Sequence, residues 1–398
     1  MARQICNNDN VKSESELHEY INRIIKLINR VGTAEHRALT QELIKIYPPI
    51  NQKNKNRKTY PQDWKSYNQA QQKEKLFLMN ILDELLDYIT FPIESGPGRN
   101  PIPIRDKIFY LVMQCYNMKS SRRCISDLTI AKKAGYIKSA PHFNTVLKVQ
   151  KDPTITSYLK HLIQVSGLPL RQVEMDFAID SSGFSTSLFG RWLDVRTGTE
   201  SDRRLYKKAH ITCGVITNII SAVTITAGTC NDSPEFRRLV RDTKKVYCPR
   251  EISADLGYIS IDNLEYAWDN EIIPFIPFKK NVSLDTATGN GMVWRKMLKL
   301  FSDYPDEFYH HYHKRSNVET TFHMIKRKFG DHLRSRTETG QTNEILAKCL
   351  CHNLCVLTQE LFELNINLDE FKMCAEIKIA RELPRVSPAG STRGVWLR

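Results

Sequence analysis

Apolar residues recur at helical spacing over the first part of the chain and at strand spacing later. Residues 11–47 and 64–90 each carry an apolar residue every three to four positions, which predicts amphipathic helices. A segment rich in Pro and Gly, residues 91–103, follows and is typical of a domain boundary or a stiff linker. The pattern predicts a helical N-terminal region, residues 1–95, and a second helical region, residues 96–168.

The second helical region contains a pattern of helix, short turn and helix. It spans residues 124–150, with a turn from Gly135 to Pro141 and a second helix that begins near Phe143. This arrangement resembles a helix-turn-helix, whose second helix enters the major groove of DNA. Any antiparallel helix pair gives a similar pattern, so DNA binding and simple helix packing are equal alternatives for this segment.

Residues 169–365 have the pattern of a mixed α/β domain. Val173, Met175, Phe177 and Ile179 alternate with polar residues or alanine, which predicts a first strand with one buried face. Further strands are predicted at residues 210–217, 219–227, 251–255 and 272–278, with intervening helices from residues 233 and 260. This order matches a ribonuclease H-like sheet, in which strands one and four are neighbours, although other mixed α/β folds remain possible. Residues 366–398 form a C-terminal tail without a recognisable motif.

Charge points to a polyanionic partner for the N-terminal part of the chain. The net charge is +14, and residues 1–170 hold 26 Lys and Arg against 15 Asp and Glu. Such a balance commonly indicates nucleic-acid binding, although merely basic soluble proteins share it. The sequence lacks an apolar run of membrane-spanning length and an N-terminal apolar leader, so we expect a cytoplasmic, nucleoid-associated protein without membrane contact.

The segment from Tyr312 to Lys326 places four ionisable side chains on one helical face. At about 100° per residue, Tyr312, Arg315, Glu319 and Lys326 fall within a stripe roughly 60° wide. The opposite face is apolar and suited to packing on a core; it comprises Val318, Phe322, Ile325 and Phe329. The stripe indicates a site that binds a metal and phosphates, while a solvated face with helical salt bridges is the alternative.

Two carboxylates stand where predicted strands end. Asp180 closes the first strand before Ser-Ser-Gly, and Asp255 closes the fourth. Because strands one and four are neighbours in the expected sheet, both acids should emerge at one edge, beside Glu319. Three converging carboxylates need a cation to offset their repulsion, and hard oxygen ligands select Mg²⁺ or Mn²⁺, with two ions expected. Asp176 is a rival ligand, and Asp232 is better explained as a helix cap.

The motifs together resemble a known enzyme family. Asp180-Ser-Ser, Asp255-Leu-Gly-Tyr and Tyr312-x2-Arg315-x3-Glu319-x6-Lys326 look like the three motifs of DDE transposases encoded by bacterial and archaeal insertion sequences. The last spacing is similar to the signature of one large group of these enzymes. The resemblance covers about residues 100–365 and includes a segment like Asn-Asp-Ser-Pro after the third strand.

The resemblance implies a metal-dependent enzyme that transposes DNA. Such an enzyme cleaves phosphodiester bonds at the element ends with water, and the exposed 3′-hydroxyl then attacks target DNA. Asp180, Asp255 and Glu319 would be the catalytic metal ligands. The remaining candidates would contact double-stranded DNA; they are Tyr312, Arg315, Lys326, Arg203, Arg204, Lys207 and Lys208. For the basic run at residues 203–208 a solvated loop is the equal alternative. Paired element ends imply a homodimer or higher assembly on DNA.

Two other functions fit the same sequence. The chain could be a domesticated sequence-specific DNA-binding protein on an inactive transposase fold. It could also be a ribonuclease H-like DNA nuclease that uses the same metals without strand transfer. Nicking and end joining separate the three, because only the transposase is expected to do both.

Overall fold

A five-stranded mixed sheet lies at the centre of the part of the chain that this computed structural model describes, namely residues 63–92, 101–186, 196, 206–279, 282 and 291–363. The strands are β1 (Asp176–Ser185), β2 (Tyr206–Gly214), β3 (Ile220–Ala227), β4 (Glu251–Ala254) and β5 (Ile273–Phe275). Their order is β3-β2-β1-β4-β5. β1 is antiparallel to β2 and parallel to β4. The expectation of a mixed α/β fold in which strands one and four are neighbours is confirmed.

Helices cover both faces of the sheet. They are α1 (Trp64–Tyr88), α2 (Ile104–Tyr116), α3 (Ser121–Lys133), α4 (Phe143–Gln150), α5 (Pro153–Ser166), α6 (Ser233–Lys244), α7 (Ile261–Asp269), α8 (Met292–Asp303), α9 (Pro305–Tyr312), α10 (Ser316–Phe329) and α11 (Glu338–Glu363). α6 packs on β2 and β3, whereas α10 and α11 contact the sheet from the side of Asp180. α11 also contacts α1, α2 and α5, so it joins the sheet to the preceding helices.

The described residues from Trp64 onward belong to one compact unit. The helix predicted at residues 64–90 is confirmed as α1. The helical pattern of residues 11–47 and the tail at residues 366–398 lie outside the described residues. Within the described part of the chain, no helix combines the length and apolar character needed to cross a membrane.

The first strand differs from its prediction at both ends. Val173 and Met175, expected in the buried face, are 38% and 52% exposed, and the strand starts only at Asp176. Glu174 is buried instead, because its carboxylate accepts hydrogen bonds from the backbone N–H groups of Ile216 and Thr217. A polar side chain with a fixed partner therefore overrides the alternation of apolar residues.

The ionisable segment is helical but not one continuous α-helix. α9 ends at Tyr312, a 3₁₀ turn covers His313–Arg315, and α10 begins at Ser316. The apolar face expected for this segment is confirmed, since its members are at most 5% exposed; they are Val318, Phe322, Ile325 and Phe329. That face holds α10 against the sheet, and the opposite face carries Glu319.

Candidate active site

Asp180 and Asp255 lie side by side where the parallel pairing of β1 and β4 ends. The last paired residues are Ile179 and Ala254, and each aspartate is the next residue along the chain. β1 continues past this point, paired with β2, whereas the chain after Asp255 turns into a short 3₁₀ helix, Leu256–Tyr258. The parting of β1 from the end of β4 opens the sheet beside both carboxylates.

The sequence predicts that Asp255 closes the fourth strand, and β4 ends one residue earlier, at Ala254, so that prediction is correct to within one residue. The prediction that Asp180 ends the first strand is wrong. β1 runs to Ser185 because its polar second half keeps its pairing with β2. Asp180 is therefore held in mid-strand, and its backbone is fixed by a neighbour on the β2 side. This location constrains the carboxylate more than a strand end would.

The Asp180 carboxylate is half-buried and has two donors. It accepts hydrogen bonds from the backbone N–H of Ser181 at 2.7 Å and from Nη1 of Arg315 at 2.7 Å. Burial raises the pKa of Asp180, and the charges of Asp255 and Glu319 raise it further, while both donors oppose that change. The three acids thus affect one another electrostatically, as expected for carboxylates that converge from separate elements.

Arg315 joins Asp180 to Glu319. Its Nη1 contacts Asp180, and its Nη2 donates to Oε1 of Glu319 at 2.5 Å. The guanidinium also lies 5.9 Å from the ring of Tyr312. The Glu319 side chain is 56% exposed, so it faces the open side of the site. The structure therefore brings together Asp180, Arg315, Glu319 and Tyr312, and Arg315 supplies the positive charge among the acids.

Lys326 lies further along the same side of α10. Its ammonium donates to Oγ of Ser182 at 2.7 Å and lies 5.3 Å from the centre of the Phe184 ring. Burial lowers the pKa of Lys326. Ser182 is two positions beyond Asp180 on the same face of β1, so Lys326 extends the site along the strand.

The chemistry of the three acids fits a hard divalent cation. Carboxylate oxygens are the ligands that Mg²⁺ and Mn²⁺ prefer, and a cation would relieve the repulsion that raises the pKa of Asp180. Among the described residues, however, no three His, Cys, Asp or Glu side chains are already arranged to hold a metal ion. Arg315 contacts two of the acids in this arrangement.

The basic run predicted to precede the hairpin extends into it, because Lys207 and Lys208 lie in β2. Arg203 and Arg204 lie outside the described residues. Lys207 forms an ion pair with Glu338 at 2.6 Å, and Lys208 forms an ion pair with Asp232. Both lysines therefore already have acidic partners, and DNA contact by either remains a prediction.

Asp176, the rival metal ligand considered from the sequence, has other partners. Asp176 binds Arg250 at 2.9 Å and Lys314 at 2.8 Å, at the opposite end of the paired region from Asp180. Lys314 also pairs with the buried Glu251 at the start of β4. Sequence analysis missed this role of Lys314, which ties the segment before α10 to β1 and β4. No local pattern in the sequence indicates these partners of Lys314.

Part of the chain matches a known family model. Residues 171–354 match the family model described as "Transposase DDE domain", and the interval includes Asp180, Asp255 and Glu319. Among solved structures, the chain is similar to piggyBac transposase in a cryo-EM structure of its synaptic complex with hairpin DNA. The match has 11% identity, covers 76% of this chain and 78% of that chain, and has a TM-score of 0.37. No curated protein matches the sequence.

Proposed function

We propose, from the match of residues 171–354 to the transposase DDE domain, that the protein is the transposase of an insertion sequence. It cleaves phosphodiester bonds at the element ends and joins the resulting 3′-hydroxyl to target DNA. The observation that carries the proposal is the adjacency of Asp180 and Asp255 at the end of the β1–β4 pairing, with Glu319 linked to Asp180 through Arg315. All of these residues lie in the matched interval.

The three acids are proposed to hold Mg²⁺ or Mn²⁺, with two ions expected. Bound there, the cations would supply positive charge to activate the attacking oxygen and stabilise the leaving oxygen. Asp180, fixed in mid-strand by Ser181 and β2, is the rigid member of the set. Glu319 is the exposed member and can adjust its side chain as DNA enters.

Arg315, Lys326 and Tyr312 are proposed to bind DNA phosphates beside the acids. A guanidinium forms paired, charge-assisted hydrogen bonds with a phosphate, and Arg315 already presents two donors in one plane to acidic groups. Lys326 presents an ammonium, and a phosphate beside it would favour the charged form that burial disfavours. These side chains would orient the scissile bond toward Asp180 and Asp255.

The finer features of the proposal concern fold family and assembly. The sheet order and the helices on both faces fit a ribonuclease H-like domain. Double-stranded DNA is the expected partner, because the substrate ends and the target are both duplexes. Since two ends must be joined to one target, we expect a homodimer or a higher assembly on DNA.

Substitution of the acids tests the proposed function. Asp180→Asn, Asp255→Asn and Glu319→Gln are each expected to reduce Mg²⁺-dependent cleavage by at least about 1,000-fold, the scale seen when one member of a catalytic set is removed. Binding of the same DNA should persist, because the phosphate-binding cations remain. The substrate is a duplex from the DNA that flanks the coding sequence, and the control is Asp262→Asn, which removes an exposed carboxylate paired with Arg237.

Each alternative function has its own result in this assay. A single variant with full cleavage would remove that residue from the site. Binding by the wild type without any nicking would favour a DNA-binding protein on an inactive fold. Hydrolysis without joining of a 3′ end to a second duplex would favour a nuclease.

A further inference from the structure

We propose that Asp232 is a positioning residue that sets the distance between Asp180 and Asp255. It acts from one face of the sheet, and Arg315 contacts Asp180 from the other. This inference rests on the proposed function, because it assigns Asp232 to the support of the same acids. Asp232 lies just before α6, far in sequence from both. Its carboxylate contacts Ser181, which follows Asp180 in β1, and lies next to Gly257, in the 3₁₀ turn that follows Asp255.

The sequence explanation of Asp232 as a capping side chain is wrong. Asp232 occupies the position before the first residue of α6, but its side chain makes no capping hydrogen bond. The carboxylate turns instead toward the sheet and forms an ion pair with Lys208 on β2. The Asp232 side chain is 21% exposed, so most of it is enclosed by its neighbours. A charged group held in this way is oriented by several elements rather than by its own helix.

The contact with β1 goes through Ser181. The hydroxyl of Ser181 donates to Oδ2 of Asp232 at 3.4 Å, and the backbone N–H of the same serine donates to Oδ1 of Asp180 at 2.7 Å. Successive side chains of a strand point to opposite faces, so Ser181 can reach Asp232 below the sheet while Asp180 faces α10 above it. Restraint of Ser181 by Asp232 therefore fixes the donor that orients Asp180.

The contact with the β4 side goes through Gly257. A Cβ atom at this position would lie 3.2 Å from Oδ2 of Asp232, which is tighter than ordinary contact. Gly257 is two residues beyond Asp255, in the 3₁₀ turn that carries the chain away from the sheet. The absence of a side chain lets the turn approach the carboxylate closely. Asp232 thus limits how near the Asp255 turn can come to β1.

Two buried side chains, His210 and Tyr258, support the cluster formed by Asp232, Ser181 and Gly257. Nδ1 of His210 hydrogen bonds with the hydroxyl of Tyr258 at 3.0 Å, and Nε2 hydrogen bonds with Oγ1 of Thr226 at 2.9 Å. His210 and Tyr258 are both fully buried. Burial lowers the pKa of His210 and keeps the imidazole neutral. His210 therefore links β2 and β3 to the turn after Asp255, and Asp232 lies 3.6 Å from the same ring.

The test compares three kinds of variant: one removes the charge of Asp232, one removes its whole carboxylate, and one fills the space between Gly257 and that carboxylate. Asp232→Ala is expected to weaken Mn²⁺ binding, measured by calorimetry on the full chain without DNA, by about 10–100-fold, as loss of a group that orients ligands commonly does. Asp232→Asn keeps the shape and should weaken binding less. Gly257→Ala leaves every charge in place and should also weaken binding, because the added methyl displaces the turn or the carboxylate.

A double variant separates spacing from general damage. In the Asp232→Ala background no carboxylate lies next to Gly257. Adding Gly257→Ala should therefore reduce the Mn²⁺ affinity much less than it does in the wild type. Asp242→Asn is the matched control, since Asp242 lies on the same helix and pairs with Lys245 at 2.7 Å, but contacts none of this cluster. Its Mn²⁺ affinity should equal that of the wild type.

The outcomes distinguish this inference from the proposed function. If Asp232→Ala and Asp232→Asn bind Mn²⁺ as the wild type does, the positioning role is overturned, even where cleavage is lost. A wild type that binds no Mn²⁺ would overturn it as well. A wild type that binds Mn²⁺ but neither cuts nor joins DNA would refute the transposase activity and leave the effect of Asp232 measurable. Should Asp232→Ala fail to fold, Asp232→Asn and Gly257→Ala carry the same test.

Discussion

At the residue scale, the environment of Asp180 disfavours the ionised form of its carboxyl group. Burial is the largest influence and raises its pKa, the neighbouring Asp255 and Glu319 act in the same direction, and Arg315 and the N–H of Ser181 oppose them. An ionised group that the folded state disfavours lowers stability relative to the unfolded chain. Functional sites commonly retain such unfavourable groups because a ligand makes use of the charge, and the proposed ligand of this site is a cation.

This charge predicts that Asp180→Asn stabilises the metal-free protein at neutral pH. Because the folded-state pKa lies above the unfolded value of 3.8, the contribution of Asp180 to stability is fully present below that value and is lost as pH rises through the raised pKa. The asparagine variant has no such loss. The free energy of unfolding of the variant relative to the wild type should therefore rise with pH, measured by denaturant unfolding in a chelator.

Asp262→Asn serves as the control for this measurement, because the Asp262 side chain is 79% exposed. Its free energy of unfolding relative to the wild type should change little over the same pH range. A difference between Asp180→Asn and the wild type that stays constant or falls as pH rises would contradict the prediction.

At the scale of elements, β1 shows what a sequence pattern can and cannot predict. Alternation and turn residues predict the succession of strands along the chain, and the match of that succession to a ribonuclease H-like sheet predicts that β1 and β4 are neighbours. They do not predict the continuation of β1 through Ser181 and Ser182, because it depends on pairing with β2 and on partners from distant elements. Ser181 hydrogen bonds with Asp232, and Ser182 hydrogen bonds with Lys326. Polar residues that resemble a strand end therefore have hydrogen-bond partners within the strand.

The ionisable helix was predictable in its faces but not in its contacts. Helical periodicity correctly places Arg315 and Glu319 together and the apolar residues of α10 against the core. Helical periodicity does not predict the 3₁₀ turn at His313–Arg315. This turn directs two neighbouring cations to different partners: Lys314 pairs with Asp176 and Glu251, and Arg315 pairs with Asp180. Such long-range ion pairs leave no local signal in a sequence.

A buried ion pair fastens the loop after α10 to α11. Lys348 is 3% exposed, and its ammonium donates to the carbonyl oxygens of Gly330 at 3.0 Å and His332 at 2.8 Å. Glu344, one turn earlier on α11, lies 3.6 Å from Lys348 and accepts from the backbone N–H groups of Arg334 and Ser335. The same loop bonds to the end of β1, so this pair helps to hold α10 over the sheet.

Lys348→Met is predicted to lower the free energy of unfolding by about 3–5 kcal/mol, because it leaves a buried carboxylate without its cation. The double variant Lys348→Met/Glu344→Gln removes the unpaired charge and should recover part of the loss. Both are measured by denaturant unfolding.

The matched control for Lys348 is Lys245→Met, whose ammonium pairs with Asp242 at 2.7 Å on a side chain that is 40% exposed. Exposed pairs contribute little, so we expect a change within about 1 kcal/mol. Equal losses for Lys348→Met and Lys245→Met would contradict the proposed role of the buried pair. So would a double variant less stable than Lys348→Met alone.

At the scale of the whole molecule, the excess positive charge and the three candidate metal-binding acids lie in different parts of the chain. Asp180, Asp255 and Glu319 lie in residues 180–319, whereas the excess of Lys and Arg over Asp and Glu is concentrated in residues 1–170. The predicted helix pair is confirmed as α3 and α4, although its role in DNA binding remains a prediction. The exposed cations of α3, of the turn, of α4 and of the residue just after it are Arg122, Arg123, Lys132, Lys133, Lys138, Lys148 and Lys151.

Salt dependence tests whether α4 lies on DNA. Each phosphate contact contributes about 0.9 to the slope of the logarithm of the binding constant against the logarithm of salt concentration. If Lys148 at the end of α4 and Lys151 just after it both contact phosphates, Lys148→Ala/Lys151→Ala should reduce that slope by about 2. Arg295→Ala/Lys299→Ala removes the same charge from exposed positions of α8, so simple loss of net positive charge would change both slopes equally. A slope for Lys148→Ala/Lys151→Ala equal to that of the wild type, measured on one duplex across a KCl series, would exclude Lys148 and Lys151 from the phosphate contacts.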